Sequence, residues 1–577
     1  MTAEYPQITV SQPRTAIRVT LDDGLVLEGP VGTTVEQFLG AAARINPQRF
    51  PYPLMAGVLD GRLRELSHPV TRDATLVPVS LASSDGGRIY RRSLVMLLAT
   101  AVDELWPGRK VAVSYAVPDG GFYCKMLDSS PLTRDEMVRL YTHMRSIVED
   151  NSPISKRTLP LDKAVALFEA RGDTDKVRLL EQRTRNELTI YTLRGRDDYY
   201  YGYMVPATGC LQYFRLLPAP PGFILQYPRQ ENPVHLGDMA AHGKLTQVFR
   251  EADDWLRRMG VEDVGRLNRI VRENRVNELI LVAEALHEQR VAFIAREICD
   301  KYKEHNTRLV LISGPSASGK TTFSKRLAIQ LLAHGLRPFT VELDNYFVDR
   351  DKTPRDENGE YDFEALAAVN LELFNQHLFE LVSGRPVTLP RFNFLSGKSE
   401  TGTNVQLQHN QIIIIEGIHG LNPALLPSFP ADMVHRVYVS ALTQLNIDAH
   451  NRVPTTDVRL LRRIVRDARL RGYTVTDTLL RWQSVRRGEK RNIFPFQENA
   501  DSMFNSALVY ELAALRPLVE PLLLQARPGT PAHIEANRLL SFLSWVQPFT
   551  PEQIAMIPDT SLLREFIGGS ILHDYHP

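Results

Sequence analysis

The chain has 577 residues, a length that predicts three or four domains and excludes a single compact core. Hydrophobic residues make up 43% and charged residues 23% of the sequence, as in ordinary globular proteins, which excludes a fibrous or largely disordered chain. The 68 basic and 67 acidic residues leave a formal net charge of +1. Overall charge therefore does not favour non-specific binding to nucleic acid or acidic membranes, and any anion site must be local.

The three cysteines, Cys124, Cys210 and Cys299, are odd in number and far apart. This pattern predicts neither a disulfide framework nor a thiolate zinc site, and it fits a reducing compartment. The first residues lack the basic stretch and apolar run of a signal peptide, and no apolar run approaches the roughly 20 residues that cross a bilayer. We therefore expect a cytoplasmic protein with no membrane contact.

The first third of the chain predicts two small domains. From residue 16 to 81 apolar and polar residues alternate between turn signals, and Thr34 can cap one helix, so we expect a β-rich domain. Residues 83–87, Ser-Ser-Asp-Gly-Gly, predict a linker. An apolar helix over residues 93–105 and a mixed α/β stretch to about Asp238 follow, and the charged helical pattern of residues 246–303 predicts a connecting helical hairpin.

From Thr307 onward short apolar runs alternate with helical patterns. The runs begin at Leu309, Thr340, Ile412 and Val437, and their continuous apolar character is typical of strands that are covered on both faces. This part of the sequence therefore predicts an α/β fold with a mainly parallel sheet.

A complete GxxxxGK[ST] motif stands between a predicted strand and a predicted helix, at residues 314–322. Its glycines allow the backbone to curl, so that the loop N–H groups and the helix N-terminus face a triphosphate. Lys320 is expected to reach the β- and γ-phosphates, and Thr321 to offer its hydroxyl to Mg²⁺. The sequence thus predicts ATP and Mg²⁺ as ligands, with nucleotide contacts from Gly314, Ser316, Ser318, Gly319, Lys320, Thr321 and Thr322.

Two acids follow neighbouring predicted strands, Asp344 after the strand at 339–343 and Glu416 after the strand at 411–415. Ligands of open α/β sheets bind at the carboxyl ends of the strands, so both acids are expected at one edge. In phosphoryl transfer one carboxylate can deprotonate the attacking hydroxyl and another can hold Mg²⁺. Strand-end acids also form turns or caps, and the glycine loop favours the functional interpretation.

A strongly basic helix is predicted near residue 460. Five arginines share one helical face: Arg459, Arg462, Arg463, Arg466 and Arg469. Arg471 lies just beyond them. A salt-bridged surface helix would interleave more acids, and a nucleic-acid site would predict more basic residues elsewhere. We expect a mobile lid whose guanidinium groups bind phosphate oxygens, with a solvated face as the alternative.

Several motifs in fixed order resemble the phosphoribulokinase/uridine kinase family, over roughly residues 307–525. They are Gly314 to Thr322, Leu343-Asp344-Asn345-Tyr346-Phe347, Tyr361-Asp362-Phe363, Leu389-Pro390-Arg391-Phe392-Asn393-Phe394, Ile415-Glu416-Gly417-Ile418 and Leu461 to Asp467. The resemblance implies a P-loop kinase that uses ATP to phosphorylate the 5′-hydroxyl of a nucleoside.

The resemblance also implies roles for individual residues. Asp344 matches the catalytic base, and Glu416 matches the metal-associated acid. Lys320 and the lid residues Arg463, Arg466 and Arg471 would contact the phosphates, and the nucleoside contacts would be Asp344, Tyr346, Glu364, Phe392 and Phe394. Gly397 and Tyr473 depart from the family, since a histidine that contacts the pyrimidine and a further lid arginine are common at these two positions.

The N-terminal half resembles other proteins. Residues 16–81 are similar to a TGS domain, and the next segment is similar to the second additional, editing-type domain of threonyl-tRNA synthetases, with matches at residues 104–107, 120–123 and 204–209. That family places three histidines and a cysteine at a zinc-type site, where this chain has Arg92, Met96, Tyr200 and Met204. These side chains do not form a ligand set for a hard or borderline metal, so editing chemistry is expected to be lost. The neighbouring tyrosines 199–201 predict a packing surface, or alternatively an RNA-stacking surface.

Together these observations predict a TGS-like β-grasp domain at 14–81, a synthetase-like α+β domain at 82–245, a helical connector at 246–305 and a P-loop kinase domain with a helical tail at 306–577. The leading hypothesis is an ATP-dependent nucleoside kinase that acts on uridine or cytidine, and we expect a homo-oligomer. The alternatives are a phosphoribulokinase-like kinase of another small alcohol, and a regulatory ATPase that binds tRNA or other RNA through the N-terminal half.

Overall fold

The computed structural model describes residues 12–127, 130–240, 242–355, 359, 361–393, 396–443 and 445–575. Phe394, one of the predicted nucleoside contacts, lies outside the described residues. Within the described ranges no helix is both long and apolar enough to span a bilayer.

The first region is a five-stranded sheet in the order β2-β1-β5-β3-β4 with one helix against it, as the sequence predicts. The Thr34 side chain accepts from the Gln37 N–H, and the Gln37 side chain accepts from the Thr34 N–H, so the helix starts at a capping box. The elements are β1 Ala16–Leu21, β2 Val26–Pro30, α1 Val35–Ile45, β3 Leu54–Leu59, β4 Arg62–Glu65 and β5 Ala74–Ser80.

The second region is α+β, with two antiparallel sheets in the orders β10-β9-β8 and β11-β12-β7-β6. Its elements are α2 Ser84–Leu105, β6 Lys110–Val117, β7 Gly121–Leu127, α3 Arg134–Glu149, β8 Ile154–Pro160, α4 Leu161–Arg171, α5 Thr174–Leu180, β9 Glu187–Leu193, β10 Arg196–Asp198, β11 Arg215–Ala219 and β12 Gly222–Gln226.

The predicted linker at residues 83–87 is wrong, because these residues form the start of α2. The Ser83 hydroxyl accepts the Gly86 N–H at 3.0 Å and caps the helix. A Cβ atom at Gly86 would lie 2.0 Å from the Ser80 carbonyl oxygen, so this glycine serves close packing. The Ser-Gly composition that predicts flexibility is here a cap followed by a tight contact.

The connector contains three helices and not the predicted hairpin. They are α6 Gly243–Met259, α7 Val264–Arg272 and α8 Val276–His305. Gly260 ends α6 in the left-handed conformation, with φ of 67°, and the Asp263 carboxylate accepts the Arg266 N–H at 2.8 Å to start α7. These two local signals end one helix and start the next at residues 260–263, although the apolar periodicity alone does not indicate a break there.

The third region is built on a five-stranded parallel sheet in the order β14-β17-β13-β18-β19. A separate hairpin joins β15 to β16. The elements are β13 Leu309–Ser313, α9 Lys320–Ala333, β14 Arg337–Glu342, α10 Leu371–Val382, β15 Val387–Asn393, β16 Lys398–Val405, β17 Gln411–Glu416, β18 Val434–Ser440, α11 Thr455–Arg466, α12 Val475–Asn492, β19 Ser502–Asn505, α13 Glu511–Leu523, α14 Pro531–Leu543, α15 Pro551–Ala555 and α16 Arg564–Ile567. The α/β fold with a mainly parallel sheet is confirmed.

The second and third regions share a buried seam. Lys176 on α5 lies 2.9 Å from the Asp198 carboxylate and 3.2 Å from the Asp448 carboxylate, and the three residues are at most 2% exposed. Although desolvation opposes its charge, these two carboxylates raise the pKa of Lys176 above its ordinary value. Tyr199 also packs against Trp545, which follows α14, with ring centroids 4.7 Å apart. The two regions are therefore joined by ion pairs as well as apolar contacts.

Candidate active site

The glycine loop connects the fully buried strand β13 to helix α9. Ala317 and Gly319 have φ of 57° and 87°, so the backbone curls through the left-handed region just before the helix starts. Gly314 is required for a close approach, because a Cβ atom there would lie 1.9 Å from the Val439 carbonyl oxygen. The result is a turn that places the N-terminus of α9 at the carboxyl end of β13.

Lys320, the first residue of α9, folds back over the loop. Its Nζ donates to the Gly314 carbonyl at 3.0 Å and to the Pro315 carbonyl at 3.4 Å. Desolvation lowers the pKa of Lys320, and the charge of Glu416 opposes that shift. Because carbonyls of the loop hold the Lys320 ammonium beside the N-terminus of α9, this group is suited to bind phosphate oxygens there.

Thr321 and Glu416 meet at the end of the sheet. The Thr321 hydroxyl donates to Glu416 Oε1 at 2.9 Å, because β17, which ends at Glu416, lies beside β13. Burial raises the pKa of Glu416, while Lys320 and the Thr321 hydroxyl oppose the rise. A hydroxyl and a carboxylate are the oxygen donors that Mg²⁺ prefers alongside phosphates, so these two residues fit the metal.

Asp344 lies at the same edge of the sheet. It follows β14 in a single 3₁₀ turn, Leu343–Tyr346, and β14 pairs with β17 so that Glu342 is opposite Glu416. Desolvation raises the pKa of Asp344, Glu342 adds to the rise, and Lys320 opposes it. A carboxylate with a raised pKa is a better proton acceptor from an attacking hydroxyl. The predicted convergence of the two acids is observed, and their roles stay predictions.

The basic helix divides into two sets, and the predicted lid is wrong for Arg459 and Arg462. Arg459 is 1% exposed and donates to Glu489, with Nη2 to Oε2 at 2.8 Å. Arg462 is fully buried, and its Nε donates to Glu511 at 2.6 Å. Buried guanidinium groups need such partners, so these two arginines stabilise the packing of α11 and cannot close over a ligand.

The second set also lies beside the glycine loop, which Arg459 contacts through the Ser316 carbonyl at 2.9 Å. Arg463 Nη1 donates to the Ser316 hydroxyl at 2.8 Å, and Arg463 and Arg466 both donate to the buried Asp467. Arg471 is half-exposed and lies 3.8 Å from the same carboxylate. One acid thus gathers three guanidinium groups next to the loop, where they retain further donors for phosphate oxygens.

Glu489 on α12 is a site residue that the sequence does not reveal. Its carboxylate accepts the Ser316 N–H at 2.9 Å and an Arg486 donor at 3.1 Å, in addition to its pair with Arg459. Although burial opposes ionisation, Arg459 and Arg486 hold the pKa of Glu489 below its ordinary value. It therefore holds the loop in place as an anion, and no local motif marks it.

Glu364, one of the predicted nucleoside contacts, lies against α12. Burial raises its pKa to about 7, and the nearby charges of Glu489 and Asp362 add to the rise. Asn492 Nδ2 donates to the Glu364 carbonyl at 2.7 Å. The helix carries Gly488 here, where a Cβ atom would lie 1.3 Å from Glu364 Oε2, so a side chain at that position would displace the carboxylate.

Aromatic rings form a wall near Glu364. Phe347 lies between Phe363, at a centroid distance of 6.0 Å, and Phe392, at 5.7 Å with the rings perpendicular. Phe347 and Phe363 are half-buried and were not assigned from the sequence, whereas Phe392 is only 4% exposed. Tyr346 is 2% exposed, and its hydroxyl lies 3.2 Å from His377 Nδ1. The nucleoside contacts of Phe392 and Tyr346 stay predictions.

Two further positions have local explanations. Gly397 has φ of 69°, and a Cβ atom there would lie 2.8 Å from the Arg350 side chain, so the histidine expected from the family does not fit. His419 follows the Glu416 turn and is 1% exposed, and its ring nitrogens have no hydrogen-bond partner among the residues that the structure describes. Burial lowers the pKa of His419 to about 4, which keeps the ring neutral at pH 7.

The four positions that correspond to the synthetase zinc-type site hold side chains that pack against or bond to neighbouring residues. Arg92 Nη1 donates to the Tyr203 carbonyl at 2.6 Å, and its guanidinium lies 5.4 Å from the centre of the Tyr201 ring. Met96, Tyr200 and Met204 are buried. In the described part of the chain no group of three or more His, Cys, Asp or Glu side chains could hold a metal ion.

Comparison with known proteins divides the chain in the same way. Residues 309–512 match the model of the Phosphoribulokinase / Uridine kinase family. The N-terminal half is similar to threonine–tRNA ligases, such as those of Halalkalibacterium halodurans (32% identity over 203 residues, 35% of this chain) and Teredinibacter turnerae (33% over 200 residues, 34% of this chain). The match covers 31% of each relative, so the chain spans about a third of the length of these ligases.

The chain is also similar to solved structures that are named as kinases. A putative fructose transport system kinase from Silicibacter sp. TM1040 is 22% identical, with a TM-score of 0.27, over 37% of this chain and 98% of that protein. A possible uridine kinase from Bacillus stearothermophilus is 23% identical, with a TM-score of 0.22, over 26% of this chain and 79% of that protein. The family match covers the glycine loop, both acids and the basic helix, and it supports a kinase that acts on a small molecule.

Proposed function

We propose that this chain is an ATP-dependent nucleoside kinase that transfers the γ-phosphoryl group to the 5′-hydroxyl of a pyrimidine ribonucleoside. One observation carries the proposal: Lys320, the Thr321–Glu416 pair and Asp344 converge at one edge of the parallel sheet. The family match over residues 309–512 supports the same class of reaction. That family in general uses ATP and Mg²⁺.

The loop supplies the phosphate-binding groups. Lys320 and the N–H groups at the start of α9 bind and orient the triphosphate. Thr321 and Glu416 would hold Mg²⁺, which would neutralise phosphate charge. Arg463 and Arg466, which flank the loop, stabilise negative charge on the phosphoryl oxygens during transfer.

Asp344 acts on the acceptor. Its carboxylate accepts the proton of the 5′-hydroxyl as that oxygen forms a bond to the γ-phosphorus, and the bond from the γ-phosphorus to the ADP oxygen breaks. The products are a nucleoside 5′-monophosphate and ADP, and the proton stays on Asp344 until solvent removes it. The raised pKa of Asp344 favours this transfer. Most of the rate enhancement comes from positioning and charge stabilisation.

Glu364 and the aromatic wall support a nucleoside as the acceptor. An ionised Glu364 carboxylate can accept hydrogen bonds from two adjacent ribose hydroxyls. Half-buried Phe347 and Phe363 offer an apolar surface for a flat ring close to it.

A second candidate acceptor is another small alcohol. The burial of Phe392 and Tyr346 favours it, because two of the predicted nucleoside contacts lie in the core. A sugar phosphate would not need an aromatic platform.

A phosphorylation panel distinguishes the two candidates. The purified chain is incubated with MgATP and uridine, cytidine, adenosine, guanosine, inosine or ribulose 5-phosphate, and the products are resolved by mass. We expect the highest kcat/KM for uridine or cytidine. A sugar phosphate that is turned over faster than every nucleoside would replace the nucleoside assignment.

A further inference from the structure

The C-terminal tail, residues 556–575, lies directly on the glycine loop. Glu565 on α16 accepts the Thr322 N–H at 3.3 Å and the Thr322 hydroxyl at 2.8 Å, both through Oε2. Leu562 is fully buried against the loop, and a Cβ atom at Gly319 would lie 2.4 Å from Leu562 Cδ2. The tail follows the family match, which ends at residue 512, so it is an addition to that part of the chain.

Two further contacts hold the tail in this position. Lys325 Nζ, on the second turn of α9, donates to the Leu572 carbonyl at 2.8 Å and to the His573 carbonyl at 2.9 Å. Arg469, just after α11, donates to the Ile567 carbonyl. The tail thus connects the phosphate-binding helix to the end of the basic helix.

The group that Glu565 contacts is a phosphate-binding group. The Thr322 N–H belongs to the first turn of α9, where backbone donors have no partner within the helix. In a glycine loop of this type these N–H groups bind the α- and β-phosphates, and the helix N-terminus favours an anion. A carboxylate oxygen on this N–H therefore lies where a phosphate oxygen would bind.

Glu565 differs from Glu489, the other carboxylate on the loop. Glu489 is neutralised by Arg459 and Arg486 and is part of the buried scaffold. Across the residues that the structure describes, no basic side chain lies within 4.0 Å of the Glu565 carboxylate. Its negative charge acts on Lys320 and Arg471 without a direct ion pair to either, and it would repel a triphosphate that binds at the same N–H group.

We propose that Glu565 makes an autoinhibitory contact, in which the tail occupies part of the nucleotide phosphate site and must move away before a triphosphate binds. The proposal rests on the proposed function, because it assumes that the loop binds ATP. The Glu565 carboxylate and the triphosphate would both place an anionic oxygen at the N-terminus of α9. The contact makes ATP affinity depend on the position of the tail.

Calorimetric titration of the full chain tests the contact. The probe is a non-hydrolysable ATP analogue with Mg²⁺, and the variants are Glu565→Gln, which keeps the shape but removes the charge, and Glu565→Ala. We expect both variants to bind the analogue about two- to five-fold more tightly than the unaltered chain, because the triphosphate no longer has to displace one favourable carboxylate contact at a helix N-terminus. Asp559→Asn, which removes an exposed charge from the same tail, is the matched control and should leave the affinity unchanged.

Equal or weaker binding by both Glu565 variants would overturn the proposal. Hydrogen exchange gives a second measurement that does not depend on the variants: adding the analogue to the unaltered chain should protect amides at 314–322 and increase exchange at 562–568. Protection of both segments would show that the tail closes over the nucleotide, which also overturns autoinhibition. Analogue binding without turnover of any acceptor would remove the proposed function and leave the tail proposal standing. Absence of analogue binding in every variant would remove both.

Discussion

The synthetase-like positions of the second region and the glycine loop of the third region differ in what their polar groups can still bind. Around Arg92 the side chains bond to one another, with the guanidinium on the Tyr203 carbonyl and Ser93 donating to the Met204 sulfur. Around Lys320 the polar groups also bond to one another, but Lys320 and Glu416 retain further donors and acceptors for a ligand. A protein can therefore retain a fold more readily than a binding site, because a substituted side chain can take the place of a ligand.

The largest expected effect concerns the proposed catalytic base, Asp344, beside the glycine loop. Asp344→Asn should lower kcat by about 10²–10⁴-fold, because the amide cannot accept the hydroxyl proton. Steady-state kinetics with the best acceptor measure the loss. Asp351→Asn, which removes an exposed charge seven residues further along the chain, is the matched control. A similar kcat for the Asp344 variant and the unaltered chain would remove Asp344 from the chemistry.

The next prediction concerns the seam between the two regions. Lys176→Met leaves Asp198 and Asp448 buried without their shared cation, so the free energy of unfolding should fall by about 3–5 kcal/mol. Urea denaturation measures the change. Lys163→Met, at an exposed position of α4, should cost less than about 0.5 kcal/mol. Equal effects of the two variants would mean that the seam does not stabilise the fold.

A smaller effect tests whether the glycines of the second region serve packing. Gly86→Ala should lower the free energy of unfolding by about 1–3 kcal/mol, because the added Cβ would meet the Ser80 carbonyl at 2.0 Å. Gly87→Ala is the paired control, since the nearest atom to its Cβ would be the flexible end of the Arg91 side chain, at 3.2 Å. Thermal or urea unfolding distinguishes them. If residues 83–87 were a linker, neither variant would change stability.

The smallest predicted effect is a pH dependence at Glu364. Its pKa is raised from 4.5 to about 7 in the folded chain, so its contribution to stability is present below pH 4.5 and is lost as pH rises through about 7. Glu364→Gln should therefore raise the Tm at pH 8 more than at pH 5. Ionisation also makes Glu364 a better acceptor for ribose hydroxyls, so the KM for the nucleoside should fall a few-fold between pH 6 and pH 8. A KM profile that is the same in the Gln variant would exclude this role.

Local signals made the strands and the loop predictable. The glycine motif, the apolar runs of the parallel sheet and the acids after two strands all depend on residues adjacent in sequence, and the structure places them as expected. Where local signals are ambiguous the expectation failed. Ser83 to Gly87 has a linker composition, yet it begins α2, because the Ser80 carbonyl lies too close for any residue but glycine at position 86.

The division of the basic helix could not be predicted in the same way. Arg459, Arg462 and Arg463 lie within one helical turn and look equivalent in sequence. Glu489 and Glu511, which pair with the first two, come from α12 and α13, and only their packing on α11 decides which guanidinium groups are neutralised. The carboxylate of Glu565 over Thr322 has the same origin, since 243 residues separate the two.

The sequence by itself determined the phosphate loop, the apolar strands of the parallel sheet and the identity of the acids at its edge, because these follow from backbone conformation and periodicity over short stretches. The tertiary structure alone decided which charges are paired and which face the cleft. Electrostatic pairing depends on distances between segments remote in the chain, and burial makes each unpaired charge costly, so the fold must place a partner beside every buried ion.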